Sequence, residues 1–109
     1  MVYVVDIDGT ICTLPRKLNG ETDYSTCKPL SKQISKFNKL HKDGHTIIYF
    51  TARGMGRTNN NRTKAYELFY DLTKNQLSQW DVKFHDLLLG KPAADLYIDD
   101  KAINIKDFK

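Results

Sequence analysis

Two aspartates one residue apart, Asp6 and Asp8 in "VYVVDIDGTICT", follow directly on an apolar run, Val2–Val5. A carboxylate at the end of a buried strand loses hydration, so it must be protonated or met by a metal ion or another cation. Further along, Thr51-Ala52-Arg53 follows "IIYF", Lys91 lies between Gly90 and Pro92, and Asp99-Asp100 closes "ADLYIDD". Asp6, Asp8, Asp99 and Asp100 gathered in one place would bind a hard divalent cation through oxygen. Mg2+, with waters completing its octahedron, suits that set. A magnesium ion, the Lys91 ammonium, a threonine hydroxyl and exposed N–H groups around one carboxylate make a site for a phosphoryl group in transfer. In such a site Asp6 attacks phosphorus and forms an aspartyl-phosphate. Asp8, two residues on and so able to lie on the same side of the chain, protonates the leaving oxygen and later deprotonates water.

These residues share a site if the chain folds as an open parallel sheet, because such sheets bind ligands at the carboxyl ends of their strands. Val2–Asp6 is a β-branched and aromatic run that predicts a strand buried on both faces. Residues 9–29, with their Gly, Pro, Asn, Ser and Thr, predict a loop with a short hairpin. Leu30, Ile34, Phe37, Leu40 and His41 recur at helical spacing, Ser31 can cap and Gly44 ends the pattern, which predicts a helix of about a dozen residues. Thr46–Phe50 is a second buried strand. After the loop "GMGRTNNN", a helix over Arg62–Thr73 places Ala65, Leu68, Phe69 and Leu72 on one face, with Asn75–Trp80 as a further short helix. "FHDLLLG" predicts a third strand, Asp95–Ile98 a fourth, and the last residues a loop or helical turn. The expected fold is α/β: a three-layer, Rossmann-like open sheet, mostly parallel, with right-handed crossovers, in a single domain over residues 1–109.

Length and composition agree with one core: 109 residues, 40% hydrophobic, with no run near the roughly 20 apolar residues of a membrane helix. A strand at the very start, with no basic n-region or apolar h-region, points to a cytoplasmic protein with no membrane partner. The net charge of +4 admits an acidic substrate or nucleic acid, yet the lysines are spread over the chain as on a solvated surface. Cys12 and Cys27 belong to no CxxC or zinc spacing and are expected to be reduced thiols without a catalytic role. Phe69, Tyr70, Trp80 and Phe84 fall at helix and strand spacings that suit core packing better than base stacking.

"DIDGT", then "TAR", a glycine-lysine-proline and "YIDD" resemble, in order and over nearly the whole chain, the four-motif signature of the haloacid dehalogenase superfamily of phosphohydrolases. Within it, "TARGMG", "LTKNQLSQW" and "GKPAADLYIDDKAIN" are similar to the small bacterial phosphatases of capsule polysaccharide biosynthesis. The resemblance implies Asp6 as nucleophile and Mg2+ ligand, and Asp8 as acid/base whose main-chain carbonyl also meets the metal. It implies Thr51 and Lys91 as phosphate-binding residues, the lysine also holding the nucleophile. Asp99 becomes the direct acidic ligand and Asp100 a ligand through water or an orienting residue. It further implies a capless core, since residues 11–29 are too few for a folded cap. An open site calls for a bulky substrate, a partner subunit as lid, or loose specificity. Arg16, Lys17, Arg53, Arg57 and Arg62 are candidates for anionic contacts, with Thr51, Ala52, Arg53 and Lys91 lining the substrate site.

The substrate expected by resemblance is a small sugar or polyol phosphate. Two other functions fit the same residues: a nucleic-acid end phosphatase, and a non-catalytic magnesium and phosphate switch similar in outline to receiver domains. The residues themselves name only the phosphate.

Overall fold

All 109 residues are described by a computed structural model of the chain. Three parallel strands make the main sheet: β1 (Val2–Val5), β4 (Thr46–Thr51) and β5 (Asp86–Leu89), in the order β1-β4-β5. Between β1 and β4 lie a small antiparallel hairpin, β2 (Arg16–Leu18) and β3 (Glu21–Asp23), and the helix α1 (Ser31–Lys42). A longer helix, α2 (Arg62–Gln79), connects β4 to β5. The hairpin turns on Asn19 and Gly20, both at positive φ (51° and 81°), the geometry that a two-residue connection requires.

Strand alternation sets the core. Register pairs Tyr3 with Ile47, Val5 with Tyr49, Tyr49 with Leu87 and Thr51 with Leu89, so these side chains share one face. That face packs into a single cluster with Ile34 and Phe37 of α1 and Leu77 of α2. The strand order explains why both helices lie there: two right-handed crossovers that step in the same direction deposit their helices on the same side.

The architecture is therefore α/β with a parallel sheet as expected, but the helices cover one face, giving two layers where three were expected. Val2 and Val4 on the other face are 64% and 62% exposed, and Leu88 is 37% exposed. The cause is the fourth strand. Asp95–Ile98 pairs with nothing, so no crossover returns past β1, which remains an edge strand. Local bonds hold that segment out: the Tyr97 hydroxyl donates to the Pro92 carbonyl, and Asp99 Oδ1 accepts from the Lys101 N–H at 2.9 Å.

The helices differ in smaller ways. α1 begins after Leu30 with no side-chain cap, so Ser31 is its first residue and not its cap. α2 runs unbroken through the expected gap at Lys74, since no Gly or Pro interrupts it, and Asn61 caps it by accepting from the Lys64 N–H at 3.1 Å. Its buried positions are Ala65, Thr73 and Leu77, whereas Leu68 faces outward at 53% exposure. No helix is long and apolar enough to cross a membrane.

Candidate active site

The chain leaves β1 through a tight turn in which the Ile7 carbonyl accepts from the N–H groups of Thr10 and Ile11, each at 3.0 Å. Gly9 sits at φ +81°, where a side chain would be strained, and its N–H donates to the Cys12 carbonyl at 2.9 Å. Ile7 is fully buried, which leaves Asp6 and Asp8 on either side of it to line a crevice of about 260 Å3. Pro15, Thr22, Tyr24, Thr51, Ala52, Arg53, Lys91 and Tyr97 complete the lining. The crevice lies at the carboxyl ends of β1 and β4, where an open parallel sheet binds its ligands. A second hollow of about 290 Å3, beside Ser31, Asn38 and Trp80, holds one carboxylate, Asp81, and no cation.

Lys91 reaches the site because its N–H donates to the Thr51 carbonyl at 3.2 Å, just past the end of β5. Its Nζ stands 3.5 Å from Asp6 Oδ1 and 4.4 Å over the Tyr97 ring. The Thr10 hydroxyl donates to Asp6 Oδ2 at 3.4 Å. Burial pushes the Asp6 carboxyl above the usual carboxylate range, and the Lys91 charge and the Ile7 N–H pull it only part of the way back.

Asp8 has different company. Arg53, whose side chain is fully buried, meets it with Nη2 at 2.8 Å from Oδ1 and Nε at 3.0 Å from Oδ2. The remaining guanidinium hydrogens are also committed: Nη1 donates to Thr73 Oγ1 at 3.1 Å and Gln76 Oε1 at 2.6 Å, and Nη2 lies 3.7 Å from Cys27 Sγ. The Tyr24 ring stacks against the guanidinium at 4.9 Å, while the Tyr24 carbonyl accepts from Gln76 Nε2 at 2.8 Å. Burial opposes the Arg53 charge, but the hydrogen bonds and charge of Asp8 outweigh it and hold the pKa above the ordinary arginine value.

The expected site residues divide accordingly. Asp6, Asp8, Thr51, Ala52, Arg53 and Lys91 line one crevice, as their positions after the strands predict. Arg53, however, is no free anion receptor, because every N–H of its fork is spent inside the protein. Arg57 is similarly occupied, with Nη1 3.1 Å from Glu21 Oε2 and its guanidinium over Phe69. Asp99 and Asp100, expected as metal ligands, are exposed and do not line the crevice, a direct consequence of the unpaired 95–98 segment. The two thiols expected to be incidental both donate to Asp8 Oδ1, Cys12 at 3.4 Å and Cys27 at 3.3 Å. Burial keeps both protonated, pushing the Cys27 thiol up to about 11 and that of Cys12 higher still. Local sequence gives no sign of these contacts, or of those of Thr73 and Gln76, beyond the spacing that puts Thr73 and Gln76 on one face of α2.

A crystal structure of an MCSG target from Vibrio cholerae is similar to this chain with a TM-score of 0.82, at 27% identity, over 97% of this chain and 85% of that one. The likeness extends over the α/β fold and carries no activity with it. No protein-family model matches the chain, and no curated protein does.

Proposed function

We propose that the protein is a phosphomonoesterase of the haloacid dehalogenase type, working through an aspartyl-phosphate on Asp6 and acting on a small sugar or polyol phosphate, as in surface polysaccharide biosynthesis. The observation that carries this reading is the grouping of Asp6, Lys91 and Thr51 in one open crevice at the strand ends, with the Thr10 hydroxyl bonded to Asp6. Asp6 is the crevice carboxylate that no guanidinium occupies. Lys91, 3.5 Å away, is placed to hold both it and an incoming phosphoryl oxygen. An Asp6 oxygen attacks phosphorus while the bond to the ester oxygen breaks, and the departing alkoxide takes a proton from Asp8. A water then attacks the aspartyl-phosphate, gives its proton to Asp8 and releases phosphate with Asp6 restored. Asp8 Oδ2 suits the proton transfers, since it accepts only from Arg53 Nε, whereas Oδ1 is crowded by Arg53 and both thiols.

Mg2+ is part of this reading, where it would neutralise carboxylate and phosphoryl charge. In the arrangement described, its oxygen set is incomplete without Asp99 or Asp100, so no step above is routed through the ion. The reading requires the segment around Tyr97, which already lines the crevice, to bring Asp99 in; two residues of chain, about 7 Å, separate them.

One observation favours a second reading. Asp8 bound to Arg53 is an acid/base at rest, which suits a phosphate-binding switch whose hydrolytic machinery is idle. Phosphate release with Mg2+ from sugar, polyol, nucleotide and phosphorylated oligonucleotide substrates, with Asp6→Asn as the blank, separates the readings. Turnover of the sugar or polyol class, lost in the variant, is the expected result. Turnover confined to oligonucleotides would make the protein an end-processing phosphatase, and phosphate binding without release from any class would favour the switch.

A further inference from the structure

Cys12 Sγ, Cys27 Sγ and a carboxylate oxygen of Asp8 all lie within 4.8 Å of one another. We propose that they form a binding site for a thiophilic divalent cation of the Zn2+ class, distinct in chemistry from any Mg2+ site; it shares Asp8 with the phosphatase reading but does not rest on it. In a tetrahedral zinc site with bonds of about 2.3 Å to sulfur and about 2.0–2.2 Å to oxygen, sulfur and oxygen ligands stand about 3.5 Å apart. The two thiols are already 3.4 and 3.3 Å from the same Asp8 Oδ1, so the ligand spacing suits the ion; receiving it requires Arg53 Nη2, 2.8 Å from Oδ1 and 3.7 Å from Cys27 Sγ, to swing aside. The loops that carry them are tied together. Cys12 bridges to both Asp8 and Pro29, the Thr13 N–H donates to the Lys28 carbonyl at 2.8 Å, and the Leu30 N–H to the Ile11 carbonyl at 2.9 Å.

Charge and the contacts behind the ligands fit as well. On binding, each thiol gives its proton to solvent, and two metal–sulfur bonds and one metal–oxygen bond form, with no change of oxidation state. A dication with two thiolates, the Asp8 carboxylate and the Arg53 guanidinium sums to zero, as does the metal-free set of neutral thiols, Asp8 and Arg53. With Nη2 turned away from Oδ1, Arg53 Nε can keep its 3.0 Å bond to Oδ2 and orient the ligating carboxylate. Asp8 lines the crevice, which supplies the entry path and a water for the fourth position. Two thiolates select a soft or borderline ion over Mg2+.

The test is titration of the reduced, metal-free protein with Zn2+ against a chromophoric chelator, and with Co2+ for its absorption spectrum. The proposal expects one equivalent bound, a sulfur-to-cobalt charge-transfer band, no displacement by excess Mg2+, and affinity at least about tenfold weaker in Cys27→Ser and in Asp8→Asn. Cobalt bound without that band, or unchanged zinc affinity in folded Cys27→Ser, would overturn it. Should the Cys27 variant fail to fold, the wild-type cobalt spectrum alone decides.

Discussion

The sharpest consequence of the site's geometry concerns Arg53. Its side chain is wholly buried, and its partner carboxylate is 17% exposed, so solvent screens this pair little. Removing one partner of a buried pair leaves the other charged and desolvated, which costs about 3–5 kcal/mol. Arg53→Met keeps most of the apolar stem and deletes the fork, exposing Asp8 to that penalty and stranding the Thr73 and Gln76 oxygens. Against a total stability of roughly 5–15 kcal/mol for a domain of this kind, the loss is large. With a urea slope of about 1.5 kcal/mol/M, it moves the unfolding midpoint down by roughly 2–3 M. Asp8→Asn in the same background should cost much less than it does alone, because the charge it removes is no longer paired. If Arg53 instead served as a free phosphate receptor, Arg53→Met would unfold like the wild type and weaken only phosphate binding. A midpoint within about 0.5 M of wild type would therefore refute the clamp assignment.

Other perturbations follow from single residues. The Tyr49 hydroxyl is buried in the core with no hydrogen-bond partner, so Tyr49→Phe removes an orphaned polar group and should stabilise the fold by about 1–3 kcal/mol; a lower Tm would contradict this. Asp6 has its pKa raised by burial, so its ionisation is harder in the folded than in the unfolded chain. Its contribution to stability is then intact below the unfolded value of about 3.9 and declines as pH rises through the folded value. Asp6→Asn should accordingly be more stable than wild type at pH 7, with the gap closing toward pH 3 in thermal melts. A gap independent of pH would show that burial is not the cause. Gly54, at φ +81°, would place a Cβ 2.6 Å from the Phe69 ring, so Gly54→Ala should destabilise by more than the roughly 1 kcal/mol of an ordinary Gly/Ala exchange. An unchanged urea midpoint would show that the loop after β4 yields freely.

Much of this could be read from the chain because local pattern and tertiary demand agree. The apolar runs that end in Asp6, Thr51 and Gly90 became β1, β4 and β5, with Ile7 buried between the two crevice carboxylates. The helical spacing of Ile34 and Phe37 placed α1 within a residue or two of its observed ends. What failed was whatever depends on a distant partner. "DLYI" has the composition of a strand, but a strand exists only when another offers it a ladder, and here Tyr97 bonds back to Pro92 instead. With that strand go the expected third layer and the placement of Asp99 and Asp100. Arg53 follows a strand as a substrate-binding arginine would, and only the fold reveals that Thr73 and Gln76, twenty or more residues on, had already claimed it. The thiols of Cys12 and Cys27 meet at Asp8 through a loop closure that no sequence spacing announces.

In the proposed mechanism Asp6 carries the phosphoryl group. Acid-quenching the protein during turnover of a sugar or polyol phosphate with Mg2+, reducing the acyl phosphate with borohydride and locating the modified residue by peptide mass tests it directly. Modification is expected at Asp6, absent without substrate and absent in Asp6→Asn. Phosphate released with no adduct at Asp6, or an adduct on another residue, would contradict it.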